Sequence, residues 1–106
     1  MPARRNSAHL FAALGDQTRL RLVRRLCDDG PMSITRLTAG SRVTRQAITK
    51  HLRVMEGAGL VCSTRHGRES VWHLDARRVD EARTYLERIS RQWDAALARL
   101  QKFVEE

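Results

Sequence analysis

Between Thr35 and Leu60 runs TRLTAGSRVTRQAITKHLRVMEGAGL, whose second half carries two chemistries on opposite sides of one helix. At about 100° per residue, Ala47, Ile48, His51, Leu52 and Met55 fall on one side, and Arg45, Gln46, Thr49, Lys50 and Arg53 on the other. The first side can be buried. The second offers cations, an amide and a hydroxyl, the groups that reach phosphates and base edges in a DNA major groove. Thr44 is suited to cap the start of this helix, and Gly57 or Gly59 to end it. Upstream, Ala39-Gly40-Ser41 reads as a tight turn in which Gly40 can take a positive φ. The sum is a helix-turn-helix over about residues 33–58, with Thr44 to about Ala58 as the recognition helix.

A basic stripe on a helix is often no more than a solvated face, so the placement of charge along the chain matters. The 106 residues carry a net charge of +8. Residues 1–60 hold eleven Lys/Arg against four carboxylates, a balance of +7, whereas residues 61–106 hold nine against eight, or +1. Solubility is served by charge placed anywhere. Concentration in the helix-turn-helix half favours a polyanionic partner. The length suits one small domain, residues 1–106, near the lower limit for a self-sufficient core and helped by dimerising. No apolar run is long enough to span a membrane and no signal-peptide pattern opens the chain. Cys27 and Cys62 do not make a disulfide framework, so a cytoplasmic, reduced protein is expected.

Met1 to Asn6 reads as a short basic tail containing Arg4 and Arg5. A first helix over Ser7 to Leu14 carries Leu10, Phe11 and Leu14, and Gly15-Asp16 breaks it. Asp16 can cap a second helix, Gln17 to about Cys27, with Leu20, Val23, Leu26 and Cys27 on one face and Arg21, Arg24 and Arg25 outside. Asp28-Asp29-Gly30-Pro31 is a stop signal, after which Ser33 begins the short helix through Leu37 and Thr38. Val61–Arg65 and Glu69–Leu74 flank His66-Gly67-Arg68 and read as a β-hairpin over about residues 61–74, with Arg65 and Arg68 at its tip. A hairpin placed directly after a recognition helix is a wing, and a cationic tip suits phosphates or the minor groove.

About residues 76–104 form one long helix or two in close succession. Val79, Ala82, Leu86, Ile89, Trp93, Ala96, Leu100 and Phe103 are separated alternately by 3 and 4 residues, the seam of a helix that pairs with another helix. At 1.5 Å per residue the span is roughly 40 Å, more than so small a domain can cover. A homodimer is therefore expected, with Leu86, Ile89, Trp93, Leu100 and Phe103 at its interface and Leu10, Phe11 and Leu14 of the first helix contributing.

Leu14-Gly15-Asp16-Gln17-Thr18-Arg19-Leu20, Thr44-Arg45-Gln46-Ala47-Ile48-Thr49-Lys50-His51-Leu52 and Glu56-Gly57-Ala58-Gly59-Leu60-Val61 together resemble the ArsR/SmtB family of winged-helix repressors. Arg65-His66-Gly67-Arg68 followed by Trp72-His73-Leu74 extends the resemblance to nearly the whole chain. It implies a mainly α-helical winged helix-turn-helix with one small β-hairpin, dimeric through its first and last helices. It also implies binding to a partly palindromic operator in double-stranded DNA, blocking transcription until a signal releases it. On that template Arg45, Gln46, Thr49 and Lys50 face the major groove, Ser33, Thr35, Thr44 and Arg53 hold phosphates, and Arg65 and Arg68 are the wing's contacts. Two recognition helices about 34 Å apart would fit half-sites one turn apart.

The family's thiolate metal site would align with Pro31-Met32-Ser33-Ile34-Thr35-Arg36-Leu37, where Ser33 and Thr35 stand in place of the needed cysteines. Hydroxyls are poor ligands for soft ions. The family's other common site uses Asp and His on the last helix, yet the last histidine here is His73, in the hairpin. His9, His51 and His66 also lack ligand spacing, and His51 is expected to pack under the recognition helix. No metal and no cofactor is therefore expected. Trp72 and Trp93 read as core and dimer anchors, and Cys27 and Cys62 as core residues.

Two alternatives stand beside the repressor: a winged-helix protein-interaction module, and a thiol-based redox-sensing repressor using Cys27 and Cys62. An enzyme is disfavoured, since no nucleophile–base pair or phosphate loop is readable. Some proteins of this shape answer to small-molecule inducers held near the dimer interface, but no residue here names one.

Overall fold

Three short polar side chains set where the helices of the DNA-binding half begin. Asp16, Ser33 and Thr44 each have extended backbone and accept a hydrogen bond from the amide three residues on, at 3.0 Å from Arg19, 3.2 Å from Arg36 and 3.1 Å from Ala47. These caps open α2 (Gln17–Asp29), α3 (Ile34–Thr38) and α4 (Arg45–Gly57). The computed structural model describes residues 7–105, so the basic tail with Arg4 and Arg5 lies outside the described residues.

The helix ends are as well defined. Gly59, at φ +79°, donates to Glu56 O at 2.9 Å while Leu60 donates to Met55 O at 2.9 Å, the Schellman arrangement that closes α4. In the turn between α3 and α4, Gly40 has φ +72°, a conformation that only glycine adopts without strain.

α1 (Ser7–Leu14) packs on α2 and α4, and α2, α3 and α4 surround a core that includes Leu22, Leu26, Leu37, Ile48, Leu52 and Met55. β2 (Val61–His66) and β3 (Glu69–Leu74) pair antiparallel from Val61↔Leu74 to His66↔Glu69. Gly67 at φ +63° begins the two-residue turn between them, as a type II′ turn requires. Trp72 closes the core from β3 and is 2% exposed.

The expected two-stranded hairpin is in fact a three-stranded sheet. β1 (Met32–Ser33) pairs antiparallel with β3 through Met32↔Trp72 and Ser33↔Val71, giving the order β1-β3-β2. Ser33 is therefore the last residue of a strand as well as the cap of α3, and does not itself lie within the helix. Two residues are too few for any alternation to show in the sequence.

α5 (Ala76–Glu105) is one continuous helix of 30 residues. At 1.5 Å per residue it is about 45 Å long, and the molecule extends 65 Å along its greatest dimension. The only buried residue of α5 is Arg78. Leu86, Trp93, Leu97, Leu100, Phe103 and Val104 are more than half exposed, with Trp93 at 67% and Phe103 at 76%. Ile89 is half-buried.

Several burial expectations change. Leu10 is 1% exposed within this single chain, so it belongs to the core and is not free to meet a partner. Phe11 is half-buried against Tyr85 of α5, with ring centroids 5.4 Å apart, and Leu14 packs against the core. On α2 the inward residues are Leu22 and Leu26, while Leu20 is 51% exposed and Cys27 is exposed. Cys62 is half-buried. Cys27 is thus not a core residue, because α2 turns the Leu22–Leu26 edge inward and leaves Leu20 and Cys27 outside, and Cys62 on β2 is only partly covered.

Candidate nucleic-acid interface

α4 presents its polar side as the two-sided pattern requires, with Ile48, Leu52 and Met55 buried and Arg45, Gln46 and Lys50 exposed. Among the described residues, the side chains of Arg45, Gln46 and Lys50 have no hydrogen-bond or ion-pair partner. No carboxylate lies in the first turn of α4 or of α3. Acidic groups at a helix N-terminus are stabilising, and a cation such as Arg45 at that position is not. A local arrangement that forgoes the favourable charge leaves the N-terminus of α4 electropositive, ready for an external anion.

The two threonines differ. Thr44 accepts from the Ala47 amide and keeps its own O–H to donate outward. Thr49 has used its proton, donating to Arg45 O at 2.9 Å, and is half-buried. It offers lone pairs and a methyl group, the latter suited to a thymine methyl. Thr35 is exposed at the start of α3.

Arg53 is held from two sides. Its Nη1 donates to Glu56 Oε1 at 2.9 Å, and its Cζ lies 5.4 Å from the centroid of the Trp72 ring. It remains 62% exposed, so the guanidinium is steered by its neighbours while facing water. At the hairpin tip Arg68 is exposed and without a partner among the described residues, whereas Arg65 Nε reaches Gly67 O at 3.4 Å.

Ser33 departs from expectation. It is buried, and its hydroxyl accepts from the Arg36 amide, so it anchors α3 and is withdrawn from the phosphate contacts. His51 does not simply pack beneath α4. Arg19 Nη1 donates to its Nδ1 at 3.2 Å, and Asp16 Oδ1 lies 3.8 Å from the same nitrogen. The Asp16 carboxyl is held below its ordinary value of 3.8, chiefly by the Arg19 amide and further by His51 and Arg19, against the opposing effect of desolvation.

Three arginines escaped the sequence reading of the site. Arg25 Nη1 donates to the carbonyls of Arg36 and Leu37 at 3.3 and 3.2 Å, fastening the end of α3 to α2. Arg42 is exposed in the turn just before α4. Arg78 is buried and donates to Ala58 O. Only Arg42 carried a signal, its position inside the turn.

A helix-turn-helix domain family matches residues 14–63, from the end of α1 into β2. The HTH-type transcriptional regulator Rv2034 of Mycobacterium tuberculosis is 35% identical over 92% of this chain and 87% of its own length. An ArsR-like transcriptional regulator from Rhodococcus sp. RHA1 superposes with a TM-score of 0.75 at 36% identity, covering 92% of this chain and 89% of that one. The chain belongs to the ArsR family of winged helix-turn-helix transcriptional regulators. ArsR regulators are DNA-binding proteins and not enzymes. The same fold is shared, at 16% identity and a TM-score of 0.65 over 80% of this chain and 78% of its own, by a homodimeric winged helix-turn-helix DNA-binding domain from Mycobacterium bovis. No helix among the described residues is long and apolar enough to cross a membrane.

Proposed function

We propose that this ArsR regulator is a homodimeric repressor that reads a palindromic operator through α4 and closes on the flanking backbone with its wing. The observation that carries the reading is the unpartnered, exposed set Arg45, Gln46 and Lys50 on a helix whose other side is built into the core through Ile48, Leu52 and Met55. Thr49 joins them on the base-reading side, with Thr35, Thr44 and Arg53 on phosphates and Arg65 and Arg68 at the wing. Interleaving an amide and a hydroxyl with cations suits base readout, since charge alone does not discriminate sequence.

The exposed side of α5 supports the dimer. Fully burying a side chain the size of Leu or Phe favours association by about 1.5–3 kcal/mol, and α5 leaves Leu86, Trp93, Leu97, Leu100 and Phe103 in water. Phe11, half-buried against Tyr85, and Leu14, at the end of α1 and partly covered by the core, are proposed to add the uncovered parts of their side chains to that interface. The Mycobacterium bovis neighbour is described as homodimeric. Control by a soft metal ion forms no part of the proposal, because Ser33 is buried as a cap and Thr35 offers only a hydroxyl.

The test is selection of bound fragments from sheared genomic DNA by the purified protein at near-physiological salt. Enrichment of one inverted repeat with half-sites about 10 base pairs apart, or a multiple of that, is expected. Binding to all fragments alike, lost as salt rises, would reject sequence readout and bring the interaction-module reading forward.

A further inference from the structure

A cleft of about 370 Å³ lies between α2 and the turn that joins α3 to α4. Leu22 of α2, Leu37 of α3, Val43 of the turn and Ile48 of α4 give it an apolar floor. Arg21 and Arg42 stand at its edge, both exposed and both without an ion-pair or hydrogen-bond partner among the described residues. Among the described residues no carboxylate lines it. The wall is firm, since Arg25 ties the last carbonyls of α3 to α2.

We propose that this cleft binds an amphipathic organic anion, a carboxylate on an apolar body, as an effector of the regulator. The volume is within the range of small-ligand sites, which are mainly apolar with a few placed polar groups. A DNA phosphate would use the two arginines and leave the apolar floor idle. An inert apolar molecule would use the floor and leave the arginines idle. A carboxylate with an apolar tail uses both, and guanidinium is the group best shaped to receive it.

Occupancy has a consequence for DNA, which rests on the reading of α4 as the recognition helix. The ligand touches α2, the turn and α4 at once, and it neutralises Arg42, two residues ahead of the Thr44 cap. A ligand that favours one placement of the turn shifts DNA affinity only by its differential affinity for the two placements, and the coupling is reciprocal.

The experiment is an amide NMR titration of the full chain with octanoate, without DNA. The controls are 1-octanol, which has the tail without the charge, and inorganic phosphate, which has charge without the tail. Saturable shifts are expected at residues 39–43 and Ile48 with octanoate, weakened at least ten-fold in the Arg21→Gln/Arg42→Gln double variant. Arg24→Gln, exposed on the same helix outside the cleft, should bind octanoate as the unaltered protein does. Absence of saturable shifts at the turn, equal binding of octanol or of phosphate, or a double variant that binds normally would each overturn the site. The spectra themselves report whether the variants are folded. Saturating octanoate should then lower affinity for the selected DNA fragment at least five-fold, within the usual span of allosteric coupling. Octanoate binding with unchanged DNA affinity would overturn the effector role, and failure to find any preferred fragment would instead indict the operator reading.

Discussion

The guanidinium of Arg78, in the first turn of α5, donates to the carbonyl oxygen of Ala58, at the C-cap of α4, through Nε at 3.2 Å and Nη2 at 3.1 Å. Arg78 also pairs with Glu81 and is 7% exposed. One buried side chain thus joins the helix proposed to make the dimer to the helix proposed to read DNA.

Replacing Arg78 should therefore affect both stability and DNA binding. Arg78→Met leaves the Ala58 carbonyl without these two donors, an expected loss of roughly 1–3 kcal/mol in urea unfolding. Arg78→Lys should fall between the two, because an ammonium cannot reproduce the planar fork. Weaker DNA binding is expected to accompany the loss at temperatures where Arg78→Met remains folded. Unaltered stability would show that the contact is incidental.

Base reading and backbone holding should separate by variant. Gln46→Ala is expected to relax preference at one or two base pairs, at roughly 1–3 kcal/mol of discrimination. Arg68→Ala should weaken all sequences alike and reduce the slope of log affinity against log salt by about one. Binding measured on matched and mutated fragments over a salt series distinguishes them, and equal sequence-independent losses from both would reject the assignment.

Trp93→Glu combined with Leu100→Glu places charge on the exposed stripe of α5 while removing nothing from the core. Light scattering should report a mass near 12.2 kDa for the variant and about twice that for the unaltered chain. An unaltered chain that is already monomeric at micromolar concentration would dispose of the dimer.

Acid should reveal Asp16. A carboxyl more acidic in the folded than in the unfolded chain favours the fold above its ordinary value of 3.8 and gives up that contribution as pH falls through its lower folded value. Asp16→Asn retains a capping side chain without the charge. The stability advantage of the unaltered chain over the Asp16→Asn variant should therefore shrink as pH drops below 3.8, as measured by unfolding midpoints across a pH series. An advantage constant with pH would mean that the charge contributes nothing.

The helices were legible because their signals are local. Thr44, Gly40 and the Ile48–Leu52–Met55 face each impose a conformation within one or two turns. The exposed stripe of α5 was equally plain, since its periodicity continues where the core does not. What escaped the sequence depends on contacts between distant residues. The pairing of Met32 with Trp72 spans forty positions, and Arg78 meets Ala58 across the whole wing. Leu10 and Phe11 are neighbours with different surroundings, one in the core and one against Tyr85. Periodicity marks both as apolar and cannot say which neighbour each will find. At the site, exposure of Arg45, Gln46 and Lys50 followed from the helix alone, while withdrawal of Ser33 followed from a strand only two residues long.

That short strand limits how the chain can vary. Met32 fills the core and Ser33, the next residue, caps α3, so the segment from Gly30 to Ile34 has a fixed count of residues. Inserting one residue between Met32 and Ser33 would leave only one of them in place: either Met32 loses its pairing with Trp72 or Ser33 is displaced from the start of α3. The turn at the wing tip projects into solvent and bears no such restriction. Among relatives, lengthening should accumulate at the wing and be purged at β1, where the number of residues matters more than their kind.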